Sequence, residues 1–301
     1  MFIGYVFLIT AIIAFGTLGI FHKVADHPNC RPKMTALLLH FWGGVLSVTY
    51  TSVADSHGFQ FPKAVIIIGA CTGLVASLTL FVFQTGLKYG KISTSWLIIN
   101  LTTAVPVLIS IFVFGEKLSA SKGLGVLLVF AAIVMLWLDK RADLKVEVPG
   151  ADLQNVEIPG ATKADKSKWF PLMMITFLGQ GLASSSQKVL VEANVANYVW
   201  QFLMIFYWVG FLVIFALSVM REPWPNRREF STAFVMAVCS VVGNFAMTTA
   251  LKTVKGSIAY PASNGSLLMV VIGGVLLFRE RIHPVGLAGI ACGICAILIL
   301  L

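Results

Sequence analysis

One stretch of this sequence is written twice, and the repetition constrains the fold more than any other feature. Residues 85–125 align without a gap on residues 249–289, at an offset of 164 positions. Identical polar residues occupy matching positions, namely Lys88 and Lys252, Ser93 and Ser257, Asn100 and Asn264, and Glu116 and Glu280. Two further pairs lie upstream at an offset of 165 positions, Gly16 with Gly181 and Lys23 with Lys188. Because hydrophobic composition alone would not align polar residues, the chain is an internal duplication.

Composition identifies the class of protein. Apolar residues make up 58% of the chain and charged residues only 12%. The charges form short clusters that separate ten uncharged runs, each about the ~20 residues that a helix needs to cross a bilayer core. Backbone amides in lipid must pair within their own segment, so these runs are helices. The sequence predicts an all-α membrane protein with ten transmembrane helices, numbered here as spans 1 to 10. These spans cover residues 2–21, 34–53, 64–87, 92–114, 123–138, 169–189, 195–220, 230–251, 256–278 and 284–301.

The duplication divides these spans into two repeats of five. The first repeat covers residues 1–138, a polar linker rich in turn formers covers 139–168, and the second repeat covers 169–301. An odd number of helices in each repeat gives the two repeats opposite orientations, the inverted-repeat plan of secondary transporters. That plan predicts a shared site near the middle of the membrane, between the repeats.

Polar residues inside the spans are the candidates for that site. Two matching helical faces carry them: Ser93, Trp96, Asn100 and Thr103 on span 4, and Ser257, Tyr260 and Asn264 on span 9. Each asparagine lies roughly 12 Å into its span, close to the midplane. An unpaired amide in hydrocarbon costs on the order of several kcal/mol, so each one either bonds a neighbouring helix or lines a substrate cavity. The matched depth in both repeats favours the cavity.

Other residues could complete the lining, namely Gln84 on span 3, Ser184 on span 6, and Asn244 and Thr248 on span 8. Serine and threonine in membrane helices also bond their own backbone, so both alternatives stay open. The deepest charges are Lys23 and Lys188, at the ends of spans 1 and 6. They either extend to the interface or face the cavity, where they would attract a carboxylate or phosphate group of the substrate.

Several functions are disfavoured by what the sequence lacks. No Asp or Glu lies in the middle of a span, so exchange of protons for organic cations at an intramembrane carboxylate is not expected. Glu116 and Glu280 fall at span ends, where a solvated or capping role is the default. The sequence has no phosphate loop, metal-ligand cluster or Ser/His/Asp arrangement, so we expect no enzyme, cofactor or metal. Its five cysteines are too scattered for a disulfide framework.

Basic residues predict the orientation. Sixteen of the 22 Lys and Arg residues fall in the linker and the other loops on the same side, and six fall on the opposite side. By the positive-inside rule the linker is cytoplasmic and both termini are outside. The net charge of +9 is then a signal of topology, and no nucleic-acid partner is needed to explain it.

The duplicated stretch resembles the EamA-type repeat of the drug/metabolite transporter superfamily. The resemblance rests on Leu87, Pro106 and Phe114-Gly115-Glu116, on the copy that ends in Phe278-Arg279-Glu280, and on Ala14-Phe15-Gly16 leading to Lys23. Phe15 departs from the family pattern, which usually has tryptophan there. The resemblance implies a ten-helix transporter of small metabolites, often an amino-acid exporter, with relatives that handle nucleotide sugars or sugar phosphates. It also implies a central cavity lined by spans 3, 4, 8 and 9, and cytoplasmic termini, against the charge count.

The sequence therefore predicts a secondary transporter that moves a small polar or zwitterionic, amino-acid-like metabolite by alternating access. Asn100 and Asn264 would hold its polar groups, and Trp96 and Tyr260 would pack its apolar part. We expect an integral, multi-pass protein of the bacterial inner membrane, monomeric or homodimeric, whose partners are the small-molecule substrate and membrane lipid. Two alternatives stay open: a transporter of anionic sugar phosphates or nucleotide sugars, and a non-transporting membrane protein that handles lipid or binds a partner.

Overall fold

The computed structural model describes residues 2–25, 30–86, 102–116, 163–218 and 224–266, with scattered residues between 123 and 135 and between 269 and 299. Within these residues the regular structure is helical and contains no strand. The helices are α1 (Phe2–Ala25), α2 (Pro32–Val53), α3 (Lys63–Gly86), α4 (Ala104–Phe112), α5 (Lys163–Glu192), α6 (Val199–Ser218), α7 (Arg227–Leu251) and α8 (Gly256–Ser263), and a 3₁₀ turn at Ala196–Tyr198 precedes α6.

Five of the described stretches are long and apolar enough to cross a membrane, namely Phe2–His22, Lys33–Val53, Lys63–Phe83, Ala196–Leu217 and Arg227–Leu251. Their exposed surfaces fit this assignment. On α1, Val6, Ile9 and Ile13 follow each other at spacings of three and four residues and are all exposed, which puts a continuous apolar stripe on one face of the helix. The chain is an integral, multi-pass membrane protein. The total of ten spans remains a prediction.

The duplication is visible as the same close contact made twice. Gly16 of α1 lies so near Met269 that a Cβ added to the glycine would overlap the methionine side chain. Gly181 of α5, the counterpart of Gly16, approaches Val105 just as closely. Val105 and Met269 are themselves 164 positions apart, the offset of the duplication. The alignment of the two sequence repeats therefore corresponds to equivalent packing in three dimensions.

The helices of the two repeats pack reciprocally. Helix α1 packs along α7, and its counterpart α5 packs along α3. Helices α2 and α6, which are counterparts, face each other, and Gly43 of α2 lies against the ring of Tyr207. Helices α4 and α8, a second pair of counterparts, also pack against each other.

Helices α4 and α8 both have an end within a predicted span. Helix α4 begins at Ala104 after a turn at Thr102 and Thr103, so Pro106 falls in its first turn, where a missing N–H breaks no helical bond. Helix α8 ends at Ser263, and the N–H of Asn264 donates to the Pro261 carbonyl in a tight turn. The helix of span 9 therefore has a one-residue turn at the predicted asparagine, after which Gly265 and Ser266 are helical again. Residues 92–101 of span 4 lie outside the described residues.

The first helix after the linker begins earlier than the sequence patterns suggest. Helix α5 starts at Lys163, inside the predicted linker, because the residues from Lys163 to Phe170 contain no proline or glycine that would end a helix. Residues 139–162 of the linker lie outside the described residues.

A buried ion pair joins the repeats at the membrane face where α2 and α7 begin. Glu229, which is 0% exposed, accepts hydrogen bonds from the backbone N–H, Nε and Nη2 of Arg31 at 2.8 to 2.9 Å. Glu229 also completes a capping box with Asn226: its carboxylate accepts from the Asn226 N–H, and the Asn226 side chain accepts from the Glu229 N–H. One carboxylate therefore caps α7 and holds it to α2.

Candidate functional site

A row of polar contacts runs along one face of α8 and joins the two repeats. Ser257, Tyr260 and Asn264 are spaced by three and four residues, so they share a helical face, as the sequence predicts. Each of them forms a hydrogen bond to a residue that lies on another helix or close to the end of one. We call this row the polar seam. It consists of these three residues, their partners Glu116, Ser184 and Thr103, and Lys188, which pairs with Glu116.

The outer layer of the seam is built on Glu116. Its carboxylate accepts from the backbone N–H groups of Gly256 and Ser257 and from the Ser257 hydroxyl, each at 2.8 Å. A carboxylate is favourable at this position because the first N–H groups of a helix have no partner within the helix and carry partial positive charge. Gly115, at φ 66°, turns the chain after α4 so that Glu116 reaches α8.

Lys188 of α5 completes this layer. Its ammonium group lies 2.8 Å from Glu116 Oε1 and 2.9 Å from Glu192 Oε1. The side chains of Lys188 and Glu116 are each 8% exposed, whereas that of Glu192 is 44% exposed. Burial alone would raise the pKa of the Glu116 carboxyl, but the bonds from Lys188, Ser257 and Gly256 together hold this pKa below its ordinary value. Glu116 is therefore ionised at neutral pH.

The two inner layers follow towards the middle of the membrane. Tyr260 is 2% exposed, and its hydroxyl donates to the Ser184 carbonyl of α5 at 3.1 Å. One turn further in, the amide Nδ2 of Asn264 donates to the Thr103 hydroxyl at 2.9 Å. Asn264 is only half-buried. The deepest layer of the seam thus joins the residue after α8 to the residue before α4.

A second polar network lies beside the seam, between α5, α6 and α7. Gln187 donates to the Asn244 side-chain oxygen at 2.9 Å, and the Asn244 amide donates to the Ser240 carbonyl at 2.8 Å. The Tyr207 and Ser240 hydroxyls lie 2.7 Å apart. Thr248 bonds the Asn244 carbonyl one turn earlier. The polar stripe predicted on span 8 is therefore paired within the protein.

The predicted site residues fall into four groups. Ser257, Tyr260, Asn264, Ser184 and Lys188 come together in the seam, and Asn244 and Thr248 lie in the neighbouring network. Ser93, Trp96 and Asn100 lie outside the described residues. Gln84 and Lys23 fall on α3 and α1, but their side chains are also outside them. Ser184 contributes its carbonyl, because its hydroxyl bonds the Gln180 carbonyl, one of the two alternatives that the sequence leaves open.

Two seam residues were not among the predicted site residues, Glu116 and Thr103. Glu116 carried a usable signal, because it is one of the few acidic residues that the duplication repeats, as Glu280. Thr103 lies three residues after Asn100 on the predicted polar face of span 4. Within the described ranges no group of three or more His, Cys, Asp or Glu residues could hold a metal ion.

Helix α8 packs so closely against α4 that a larger side chain on one helix should be tolerated only if its neighbour on the other helix is made smaller. A Cβ added to Gly256 would overlap the Ser110 hydroxyl, which is buried without a hydrogen-bond partner. We expect Gly256→Ala to lower the free energy of unfolding by about 1–3 kcal/mol, through overpacking. Adding Ser110→Ala should restore most of the loss, because the nearest remaining atom, the Cβ of residue 110, would be 3.2 Å away. Thermal unfolding in detergent measures both variants, and Ser110→Ala alone is the control. A double variant as unstable as Gly256→Ala would contradict this account.

Comparison with known proteins adds to this geometry. The sequence model of the EamA-like transporter family matches residues 2–138 and 167–301. One solved crystal structure superposes with a TM-score of 0.74, covering 98% of this chain and 95% of the other chain at 15% sequence identity. At that identity the likeness concerns the fold alone. Among curated proteins, none matches this chain.

Proposed function

We propose that this chain, which belongs to the EamA-like transporter family, is a secondary transporter of a small polar or zwitterionic metabolite that works by alternating access. Membership of the family identifies a membrane transporter of the drug/metabolite transporter superfamily, as the sequence resemblance predicted. The substrate class, the mechanism and the arrangement as ten spans in two inverted repeats are parts of the proposal. We also propose the bacterial inner membrane as its location, with both termini outside as the basic residues indicate.

The hydrogen bond between Asn264 and Thr103 is the observation that carries the proposal. It joins the two repeats where α8 ends and α4 begins, and the broken helices of secondary transporters form their substrate sites at such helix ends near the midplane. Asn264 is half-buried, so part of this residue is accessible. A polar substrate could replace Thr103 as the partner of this amide. Asn100, at the duplicated position, is proposed to act in the same way.

The charges around Lys188 favour a zwitterionic or neutral substrate over an anionic one. Lys188 contacts two carboxylates, Glu116 and Glu192, so one positive charge faces two negative charges. A sugar phosphate or nucleotide sugar would have to displace at least one of these carboxylates before it paired with the ammonium group. An amino-acid-like metabolite needs no unpaired cation here, because it carries its own positive charge.

Transport in sealed vesicles tests the function. The purified protein is first screened by thermal shift against amino acids, sugar phosphates and nucleotide sugars, because a compound that binds the folded form raises the unfolding temperature. Binders are then tested for uptake into vesicles with and without the protein. We expect flux of an amino-acid-like compound. If the protein moves no compound yet binds lipid stoichiometrically, the non-transporting alternative is correct. Flux of a sugar phosphate alone would overturn the proposed substrate class.

A further inference from the structure

The outer layer of the seam stands between one membrane face and the proposed site. Gly4, near the start of α1, lies against Thr253 and Val254, the turn that precedes α8. The Glu116 layer is thus at the face where α1 begins, which we call the N-terminal face. A solute that enters from this face reaches the Asn264 layer only after the Glu116 layer has separated and α4 has moved away from Tyr260.

The bonds of the outer layer are distributed unequally between the repeats. Every partner of Glu116 described above belongs to the second repeat: the Gly256 and Ser257 amides, the Ser257 hydroxyl and the Lys188 ammonium group. Glu192, the other partner of Lys188, lies on the same helix four residues away and moves with it. When α4 parts from α5 and α8, Lys188 keeps one carboxylate, whereas Glu116 loses all of these partners. The energetic cost of opening is therefore concentrated at Glu116.

The other helix pairs between the repeats have longer interfaces. The pairs α1 with α7, α3 with α5, and α2 with α6 pack along their lengths, with glycines such as Gly43 and Gly179 pressed against side chains of the facing helix. Such close-packed surfaces resist gradual separation. Close contacts also occur around α4, but this helix is short, and its links to α8 and α5 include hydrogen bonds and an ion pair that water can replace. The repeats can therefore part at the seam while the other helix pairs stay packed.

We propose that Glu116 is a latch that keeps the N-terminal face closed, and that its release admits solute to the Asn264 layer. This inference rests on the proposed function, because it assigns Glu116 a positioning role in the transport cycle. Glu116 holds α4 against α8 and α5 in the closed state and makes no contact with substrate.

A single cysteine at position 107 can report the opening. Val107 of α4 is 5% exposed and packs in the same buried cluster as Tyr260, between the Glu116 and Asn264 layers. In the full chain with Cys30, Cys71, Cys239, Cys292 and Cys295 replaced by alanine, Val107→Cys should react slowly with a polar maleimide. Adding Glu116→Gln should raise the labelling rate at least about tenfold. The substitution weakens hydrogen bonds to a charged group that form only in the closed state, so it destabilises the closed state relative to the open one. Ser257→Ala should give a smaller increase in the same direction.

Glu192→Gln is the matched control, because it removes a carboxylate from the same lysine without removing a link between the repeats. We expect it to leave the labelling rate unchanged. The latch is overturned if neither Glu116→Gln nor Ser257→Ala speeds labelling, if Glu192→Gln speeds it equally, or if the parent protein already labels as fast as Glu116→Gln. Labelling needs no substrate, so absence of flux with faster labelling would count against the proposed function and leave the latch in place.

Discussion

Replacing Asn264 with alanine is expected to abolish substrate flux while the protein still inserts and remains monodisperse. The amide lies at the deepest described layer of the seam, where α8 ends and α4 begins. A substrate that bonds this amide loses that bond in the variant and must leave its own polar group unpaired, which costs about 1–3 kcal/mol, or roughly 5- to 150-fold. We expect the same result for Asn100→Ala, which the duplication pairs with Asn264.

One further variant separates a role in transport from a role in packing. Thr103→Val removes the hydroxyl that accepts from Asn264 and keeps the shape of the side chain. If Asn264 only holds the helices together, Thr103→Val and Asn264→Ala should lower the unfolding temperature by similar amounts, and flux per folded molecule should stay normal in both. If Asn264 binds substrate, Asn264→Ala should lose much more flux than Thr103→Val.

Asn197→Ala is the matched control for this experiment. Asn197 is an exposed asparagine on the turn before α6, and its side chain accepts a hydrogen bond from Lys252. The change removes the same chemical group outside the seam, and surface substitutions of this kind usually change stability by within about 0.5 kcal/mol. Uptake into vesicles, corrected for the amount of inserted protein, measures all the variants. Normal flux in both Asn264→Ala and Asn100→Ala would remove the site assignment.

The sequence predicts the packing of the repeats better than it predicts the chemistry of the seam. Gly16 and Gly181 could be paired in advance because a duplicated chain buries equivalent positions in equivalent contacts, and the structure places both glycines against equivalent partners. The shared face of Ser257, Tyr260 and Asn264 could also be predicted, because helical periodicity alone determines it. Neither inference requires knowledge of which helices are neighbours.

The partners of that face required such knowledge. Glu116 bonds amides that are 140 and 141 residues away in sequence, and those amides are available only because α8 begins there. A helix end is visible in the sequence, but the acid that caps it from another repeat is not. Tyr260 shows the same limit. The sequence suggests an aromatic surface for the substrate, whereas the structure buries the ring and gives its hydroxyl a carbonyl partner.

Glu229→Ala is expected to cause the largest loss of stability, a decrease in the free energy of unfolding of about 3 kcal/mol, the lower end of the range for breaking a buried ion pair. The lower end applies because the Arg31 side chain is 30% exposed and its guanidinium also donates to the Trp224 carbonyl. Here the guanidinium of Arg31 would lose both of its bonds to the carboxylate, and the Arg31 and Asn226 amides would each lose an acceptor. The measurement is thermal unfolding of the purified protein in detergent, followed by tryptophan fluorescence.

Two controls attribute the loss to its cause. Arg227→Ala changes an exposed charge in the first turn of the same helix and should alter the free energy of unfolding by less than about 0.5 kcal/mol. Glu229→Gln can still cap α7 but cannot neutralise Arg31, because glutamine serves in a capping box and carries no charge. Its loss should therefore fall between those of Arg227→Ala and Glu229→Ala. If Glu229→Gln were as stable as the parent protein, the cap rather than the ion pair would be what Glu229 contributes, and the repeats would be held together at this face by their apolar contacts.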